Sequence, residues 1–504
     1  MGGALTDDDA DTGHDPDGTR LPIKIDATSN GEFLPRPLPP ANVEANLRAL
    51  AQATVNARRL GKRRREFLVS ASGAATTLLA FNEVAAAVGK RGSSYVLPWE
   101  AGLDEAAAKD ALDGDEFIFD IQGHHVGSIE SWREGKPLYE GRHRFRAFAP
   151  QYACDYREAD PELGQIACLN GDAYVKEVFL DSDTDIAVLS FGPAPNNEMM
   201  PQYSEGAETV RLVEALGTTQ RLLVHGRCMP TFAQDLALME ETAARWPIAA
   251  WKTYTQHGPD DTGYFLDDEL GQAFIEKIRK IGNKRLAVHK GLPFLQYKNN
   301  LKYASSRDVG PAARANPDIT FMIYHSGYDM QMREGPYARN SGSGVDDLIT
   351  SLLDAGLTAG SNHNVYAELG STWRYLMRDA DQAAHVIGKL LKYVGADRVL
   401  WGTDSIWYGS PQDQIMAFRA FQISDEFQEK YGYPRITPEI RAKVFGLNGA
   451  AAYGLSPELV RKSTAIDPVG KARQAYRHRP DPSFLTYGPK DRRSFLRLLA
   501  QNDR

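Results

Sequence analysis

Between Glu116 and Asp404 the chain alternates two kinds of pattern. Short apolar runs of strand length are EFIFDIQ (116–122), DIAVLSFG (185–192), RLLVH (221–225), IAAWKTY (248–254), RLAVH (285–289), ITFMIYH (319–325), NVYAELG (364–370) and RVLWGTD (398–404). Longer segments of helical periodicity lie between them, among them AQDLALMEETAARW (233–246), DELGQAFIEKIRKIG (268–282) and QAAHVIGKLLKYVG (382–395). Strand alternating with helix is the pattern of parallel βα units. Eight in succession predict an α/β fold, a TIM (β/α)8 barrel. Polar residues close successive strands at His225, Lys252, His289, His325, Glu368 and Asp404. They are spaced about 27 to 43 residues apart, close to the length of one βαβ turn around a barrel.

The interval after the first strand is oversized. Its surplus, an inserted segment at 131–180, carries Trp132, His143, Arg144, Phe145, Arg146, Phe148 and Tyr152. A first-loop insertion lies above the C-terminal face of a barrel, so it is expected to be a lid there or a surface elaboration with its own small core. Extensions flank the barrel at both ends. Residues 1–59 begin acidic and proline-rich (DDDADTGHDPDG, LPRPLPP), with little to bury, and read as a loosely attached arm ending in a short helix at 41–60. The tail, 461–504, is basic, and its last segment offers Phe495, Leu496, Leu498 and Leu499 for burial, an expected contact with a neighbouring subunit of a homo-oligomer.

Composition narrows the class. The chain has 504 residues, 42% hydrophobic and 25% charged, as in a globular protein able to bury a large core. A net charge of −8 excludes the dominant basic surface that nucleic-acid binding needs. Three cysteines, Cys154, Cys168 and Cys228, lack C-x-x-C spacing and make no disulfide framework. Residues 60–90 bear on compartment. Arg63-Arg64-Arg65-Glu66-Phe67-Leu68 precedes a mildly apolar stretch ending in Ala85-Ala86-Ala87. That order resembles a twin-arginine export signal with an A-x-A-like cleavage site. It implies a periplasmic or exported protein, with a cytoplasmic one as the alternative. The stretch is too short and too polar for stable membrane insertion.

The chemistry sits at the strand ends. His124, His225, His289, His325 and Asp404 all fall on the face where a barrel keeps its active site. Imidazoles with one carboxylate are the ligand set of a catalytic divalent ion with an open position, zinc above all. Such an ion lowers the pKa of a bound water and polarises a substrate carbonyl. Arg227, His257 and Trp373 lie on loops of the same face and are expected to shape a pocket for a small-molecule substrate.

The order of motifs resembles the amidohydrolase superfamily, in its family 2 branch with aminocarboxymuconate semialdehyde decarboxylase-like enzymes. The resemblance covers about residues 115–455 and rests on FDIQGHH, WKTY, AVHKG, YHSGY, NVYAELG and WGTDS, closed by FGLNGAAAYGL. It implies one metal ion held by His124, His289 and Asp404. It gives His325 to proton transfer and makes Asp404 both ligand and proton acceptor. Lys252 is implied as a substrate-binding cation; Arg227 and His257 are expected as further substrate contacts from their position on the same face. Glu368 is an acidic candidate for the same role, or an ion pair with Lys252. The first-strand H-x-H pair falls on Gln122 and His124, and Gln122 departs from it. An amide oxygen is a poorer zinc ligand than imidazole, which admits manganese or magnesium, or no metal; His125 could substitute from a loop. Three functions remain open: hydrolysis of a small ester, lactone or amide; non-oxidative decarboxylation of an aromatic or enoic acid; and a degenerate barrel that binds without catalysis.

Overall fold

The computed structural model describes residues 15–124, 171–190, 192, 207–259, 262–294, 298–339, 341–342 and 344–496. Ten strands lie in chain order: β1 Ser93–Tyr95, β2 Phe119–Gly123, β3 Ile186–Leu189, β4 Leu222–Arg227, β5 Ile248–Tyr254, β6 Arg285–His289, β7 Thr320–Tyr324, β8 Val365–Glu368, β9 Val399–Leu400 and β10 Phe421–Ile423. Strands β2 to β9 pair in sequence order as one parallel sheet, at the eight positions the apolar runs mark. β1 and β10, which the periodicity did not reveal, form a small antiparallel pair outside it.

The sheet curls until its edges meet. Ile121 N donates to Trp401 O (3.1 Å), Asp404 N to Gln122 O (2.9 Å) and Ile406 N to His124 O (3.2 Å), joining β2 to the segment after β9. The two-residue period then sorts side chains between inside and outside. Ala250, Ala287, Met322, Tyr366 and Leu400 fill the barrel with Phe119, Ile121 and Val188. Their neighbours Trp251, Leu286, Val288, Phe321, Ile323, Val365 and Ala367 face the surrounding helices. The helix Asn448–Tyr453 plugs the N-terminal end with Ala450, Ala452 and Tyr453.

The N-terminal extension departs from expectation. Residues 15–39 are not a loose arm: Ile23, Ile25 and Phe33 are buried, and the irregular segment is tied to the tail. Ser29 N donates to Pro489 O (2.8 Å) and the Thr28 and Thr486 hydroxyls share a hydrogen bond of 2.8 Å. Few but well-placed apolar residues, with the backbone polar groups matched, suffice to hold it. Helices α1 Pro40–Arg59, α2 Arg64–Val69 and α3 Ala71–Ala87 follow. The segment with export-signal character is thus part of the folded body: α3 buries Leu78, Phe81 and Val84, and Arg65 pairs with Asp481 at 3.0 Å. Among the described residues no helix is long and apolar enough to cross a membrane. The described part of the tail packs on its own chain, with Phe495 buried and Leu485 and Tyr487 beside β3 and β4; Leu496 is exposed, and Leu498 and Leu499 lie outside the described residues. Of the 131–180 insertion, residues 171–180 are helical. Trp132, His143 and the other residues on which a lid was expected lie outside the described residues, as do His125, Cys154 and Cys168.

Candidate active site

Alternation delivers the chemistry. On β6, His289 follows the inward Ala287 by two residues; on β8, Glu368 follows Tyr366; on β5, Lys252 follows Ala250. Each therefore points into the barrel mouth. His325 and Asp404 arrive differently. Both have left-handed backbones, with φ of 65° and 59°. A non-glycine residue in that region carries strain that the surrounding structure must hold. His325 comes one residue after the inward Tyr324 and would face outward on a regular strand; the left-handed turn brings its ring back to His289.

Two clusters result. In one, Asp404 gathers four donors: His124 Nε2 (2.9 Å) and Gln122 Nε2 (3.1 Å) on Oδ1, Asn30 Nδ2 (2.8 Å) and the Ser371 hydroxyl on Oδ2. Burial alone would raise the Asp404 pKa, but the donors from His124 and Ser371 and the nearby imidazoles outweigh it and hold the group below the usual carboxylate range. In the other cluster, His289 Nδ1 and His325 Nε2 stand 3.2 Å apart. Their remaining nitrogens meet backbone carbonyls, His289 Nε2 at Leu292 O (3.2 Å) and His325 Nδ1 at Gly370 O (2.7 Å). A carbonyl only accepts, so those nitrogens carry the hydrogens and the two facing nitrogens present lone pairs. Burial depresses both imidazoles, His325 to about 4, so they are neutral at physiological pH. Glu32 of the N-terminal segment completes this group, and the donor atoms of Glu32, His289 and His325 lie within 4.8 Å of one another.

Lys252 is wholly buried. Its ammonium sits 3.6 Å from the Tyr324 ring centre and 4.5 Å from that of Tyr254, with no hydrogen-bond partner among the described residues. Desolvation pulls its pKa down to about 7. The ion pair expected between Lys252 and Glu368 does not form. Glu368 instead accepts from the backbone of His325 (3.0 Å) and Gly370, tying the turns after β7 and β8, and burial pushes its pKa up to about 8.

The remaining expectations divide. Gln122, His124 and Asp404 are brought together in one cluster and His289 and His325 in the other, where Glu32 rather than His124 or Asp404 lies within ligand distance of both imidazoles. Arg227 is not on a loop but is the last residue of β4, buried near Asp235, and His257 lies in the loop after β5 beside Phe232, with ring centres 5.8 Å apart. His225 faces the barrel interior but lies deeper, its Nε2 2.6 Å from the Tyr453 hydroxyl, so it is a core histidine. Trp373 is core as well, its indole N–H donating to Gln414 O (2.9 Å) among Phe418 and Phe421. Sequence reasoning missed Asn30, Glu32, Ser371 and Tyr408. The last shares a 2.7 Å hydrogen bond with Ser371 and so backs the Asp404 cluster.

A β/α barrel whose mouth gathers histidines and carboxylates offers donor groups of the kind that can hold a divalent ion. The family model described as amidohydrolase matches residues 255–455, from the segment after β5 through the helix that plugs the barrel. No match is found among curated proteins. Among solved structures, a 2,6-dihydroxybenzoate decarboxylase from Rhizobium is 12% identical, covering 68% of this chain and 99% of its own, with a TM-score of 0.39. An amidohydrolase from Burkholderia multivorans, with bound zinc, is 15% identical over 68% of this chain and 100% of its own, with a TM-score of 0.39. Neither likeness assigns a reaction or a substrate to this chain.

Proposed function

We propose that the protein is a metal-dependent hydrolase of a small ester, lactone or amide, with one divalent ion, zinc by ligand chemistry, bound at the mouth of the barrel. The observation that carries this is the pair of lone-pair nitrogens of His289 and His325 facing each other at 3.2 Å beside an ionised Asp404. Neutral imidazoles in that arrangement repel unless a cation lies between them. His289 and His325 would hold the ion, with Asp404 and its partner His124 closing the other side. This draws His325 into the ligand set. When bound, the ion supplies a water of lowered pKa and a Lewis acid for the substrate carbonyl.

The chain's own groups supply the rest. Asp404, ionised at neutral pH, accepts a proton at its carboxylate. Gln122, Asn30 and Ser371 hold that carboxylate in place. Lys252, with a pKa near 7 and no hydrogen-bond partner among the described residues, would bind an anionic or carbonyl part of the substrate.

Elemental analysis of the purified protein, with hydrolysis of an ester and lactone panel before and after chelation, tests the reading. The expected result is about one equivalent of metal and hydrolysis that is lost on chelation and restored by zinc. Stoichiometric metal with release of carbon dioxide from hydroxybenzoates, and no hydrolysis, would replace hydrolysis by decarboxylation. Protein without metal that binds none on addition would leave only the binding-protein reading.

A further inference from the structure

Gln122 leaves the first strand short of a ligand, and the structure shows what stands nearby. Its amide nitrogen holds Asp404 Oδ1 at 3.1 Å, and its oxygen has no hydrogen-bond partner among the described residues. Across the mouth, Glu32 aims its carboxylate at the imidazole pair, with Oε1 3.7 Å from His289 Nδ1 and Oε2 4.0 Å from His325 Nε2. All three groups present lone pairs to one another. Neighbouring ligands of a tetrahedral zinc ion, with bonds of about 2.0–2.1 Å, sit about 3.3 Å apart. The histidine pair already has that spacing, and Glu32 is within a small side-chain adjustment of it.

The placement of Glu32 is built. Its amide nitrogen donates to Asn30 Oδ1 (3.0 Å), and Asn30 Nδ2 bridges Glu32 Oε2 (2.6 Å) and Asp404 Oδ2 (2.8 Å). The two carboxylates are therefore two hydrogen-bond lengths apart at most. Gly31 takes the left-handed turn, φ 90°, that reverses the chain at this point, and Ser29 Oγ closes it by donating to Phe33 O (2.6 Å). Phe33 packs edge-on against Tyr375 with ring centres 5.0 Å apart.

We propose that Glu32 is a ligand of the ion at His289 and His325, supplied by the N-terminal segment in place of the first-strand ligand that Gln122 does not provide. The inference rests on the reading of this mouth as a metal centre. It adds a residue about ninety positions ahead of the barrel's first strand to the centre's ligand set.

The test uses the full chain, stripped with chelator and titrated with zinc and with cobalt(II). Glu32→Gln, nearly isosteric, should weaken metal binding at least about 100-fold, beyond the 10–100-fold typical of losing a group that only orients a ligand. Gln122→His in the Glu32→Gln background should recover most of that loss. Glu32→Cys should give a thiolate-to-cobalt charge-transfer band, which only direct coordination produces and which remains readable if the glutamine variant is poorly folded. If Glu32→Gln binds metal as tightly as the wild type, or more tightly, and the cysteine variant shows no such band while His289→Asn loses the ion, Glu32 is not a ligand and the metal centre stands without it. If the wild type binds no ion, both readings fail together.

Discussion

Replacing Asp404 by Asn exchanges one oxygen for an NH2 group, and the surroundings make that exchange costly. Four donors converge on the native carboxylate, two on each oxygen. Whichever way an asparagine amide turns, its NH2 meets two donors: His124 and Gln122 on one side, Asn30 and Ser371 on the other. Two hydrogen bonds to a buried charge are lost and two donors are left unpaired. At about 1–3 kcal/mol for a buried group left unsatisfied, partly recovered by relaxation of the Asn30 segment, the cost is about 2–4 kcal/mol. For a chain of this length that lowers the melting temperature by about 2–4 °C. The measurement is scanning calorimetry of chelator-treated protein at neutral pH, so that loss of metal does not contribute. Ser371→Ala, which removes one donor and creates no donor–donor contact, should cost less than half as much. An Asp404→Asn protein that melts with the wild type would refute the four-donor arrangement, and with it the argument that Asp404 is held ionised and aimed.

Two further outcomes rest on groups away from the metal ligands. Burial opposes ionisation of Asp26, but Arg374 and Lys490 pull its pKa from 3.8 down to about 2. Its stabilising effect is therefore present above pH 3.8 and lost as the pH falls through 2. Asp26→Asn should destabilise by about 1–2 kcal/mol at pH 6, after allowance for its partly solvated carboxylate, and the gap in urea unfolding should shrink toward pH 2. The two arginines of the export-like motif should also separate. Arg65 is buried against Pro482 O (2.5 Å), Asp481 (3.0 Å) and the Phe484 ring, whereas Arg64 bonds Asp17 O at the surface. Arg65→Lys should cost about 1–3 kcal/mol and Arg64→Lys under about 1 in thermal unfolding, which makes the latter the clean variant for an export assay.

The barrel was legible because its signal repeats. On β5, Ala250, Lys252 and Tyr254 alternate with Trp251 and Thr253, and the same local period marks the other strands and the inward ends of β6 and β8. His325 and Asp404 are legible as polar residues closing the strands and in the motifs but not by alternation, which their left-handed backbones break. His225 misled for the opposite reason. It obeys the period, but its partner Tyr453 comes from the plugging helix 228 residues away, and no local pattern reveals such a partner. Asn30 and Glu32 were hidden by composition. A proline-rich, acidic segment with three apolar anchors reads as solvated chain until its contacts to Tyr375, Thr486 and Pro489 are seen.

The bridge from Asn30 to Asp404 spans 374 positions of sequence. On the ribosome, at about 5–20 residues per second, the first of these residues emerges roughly 20–75 s before the second. For that interval the N-terminal segment has no barrel mouth to enter, and its later anchor at Thr486 is synthesised later still. The centre is thus among the last parts of the molecule to exist. Closing so long a loop adds little to the entropic cost of folding, which grows only with the logarithm of length, but it ties the active site to completion of the whole chain. A chain cut just before β9 would contain seven of the eight barrel strands and have no Asp404 for Asn30 to hold.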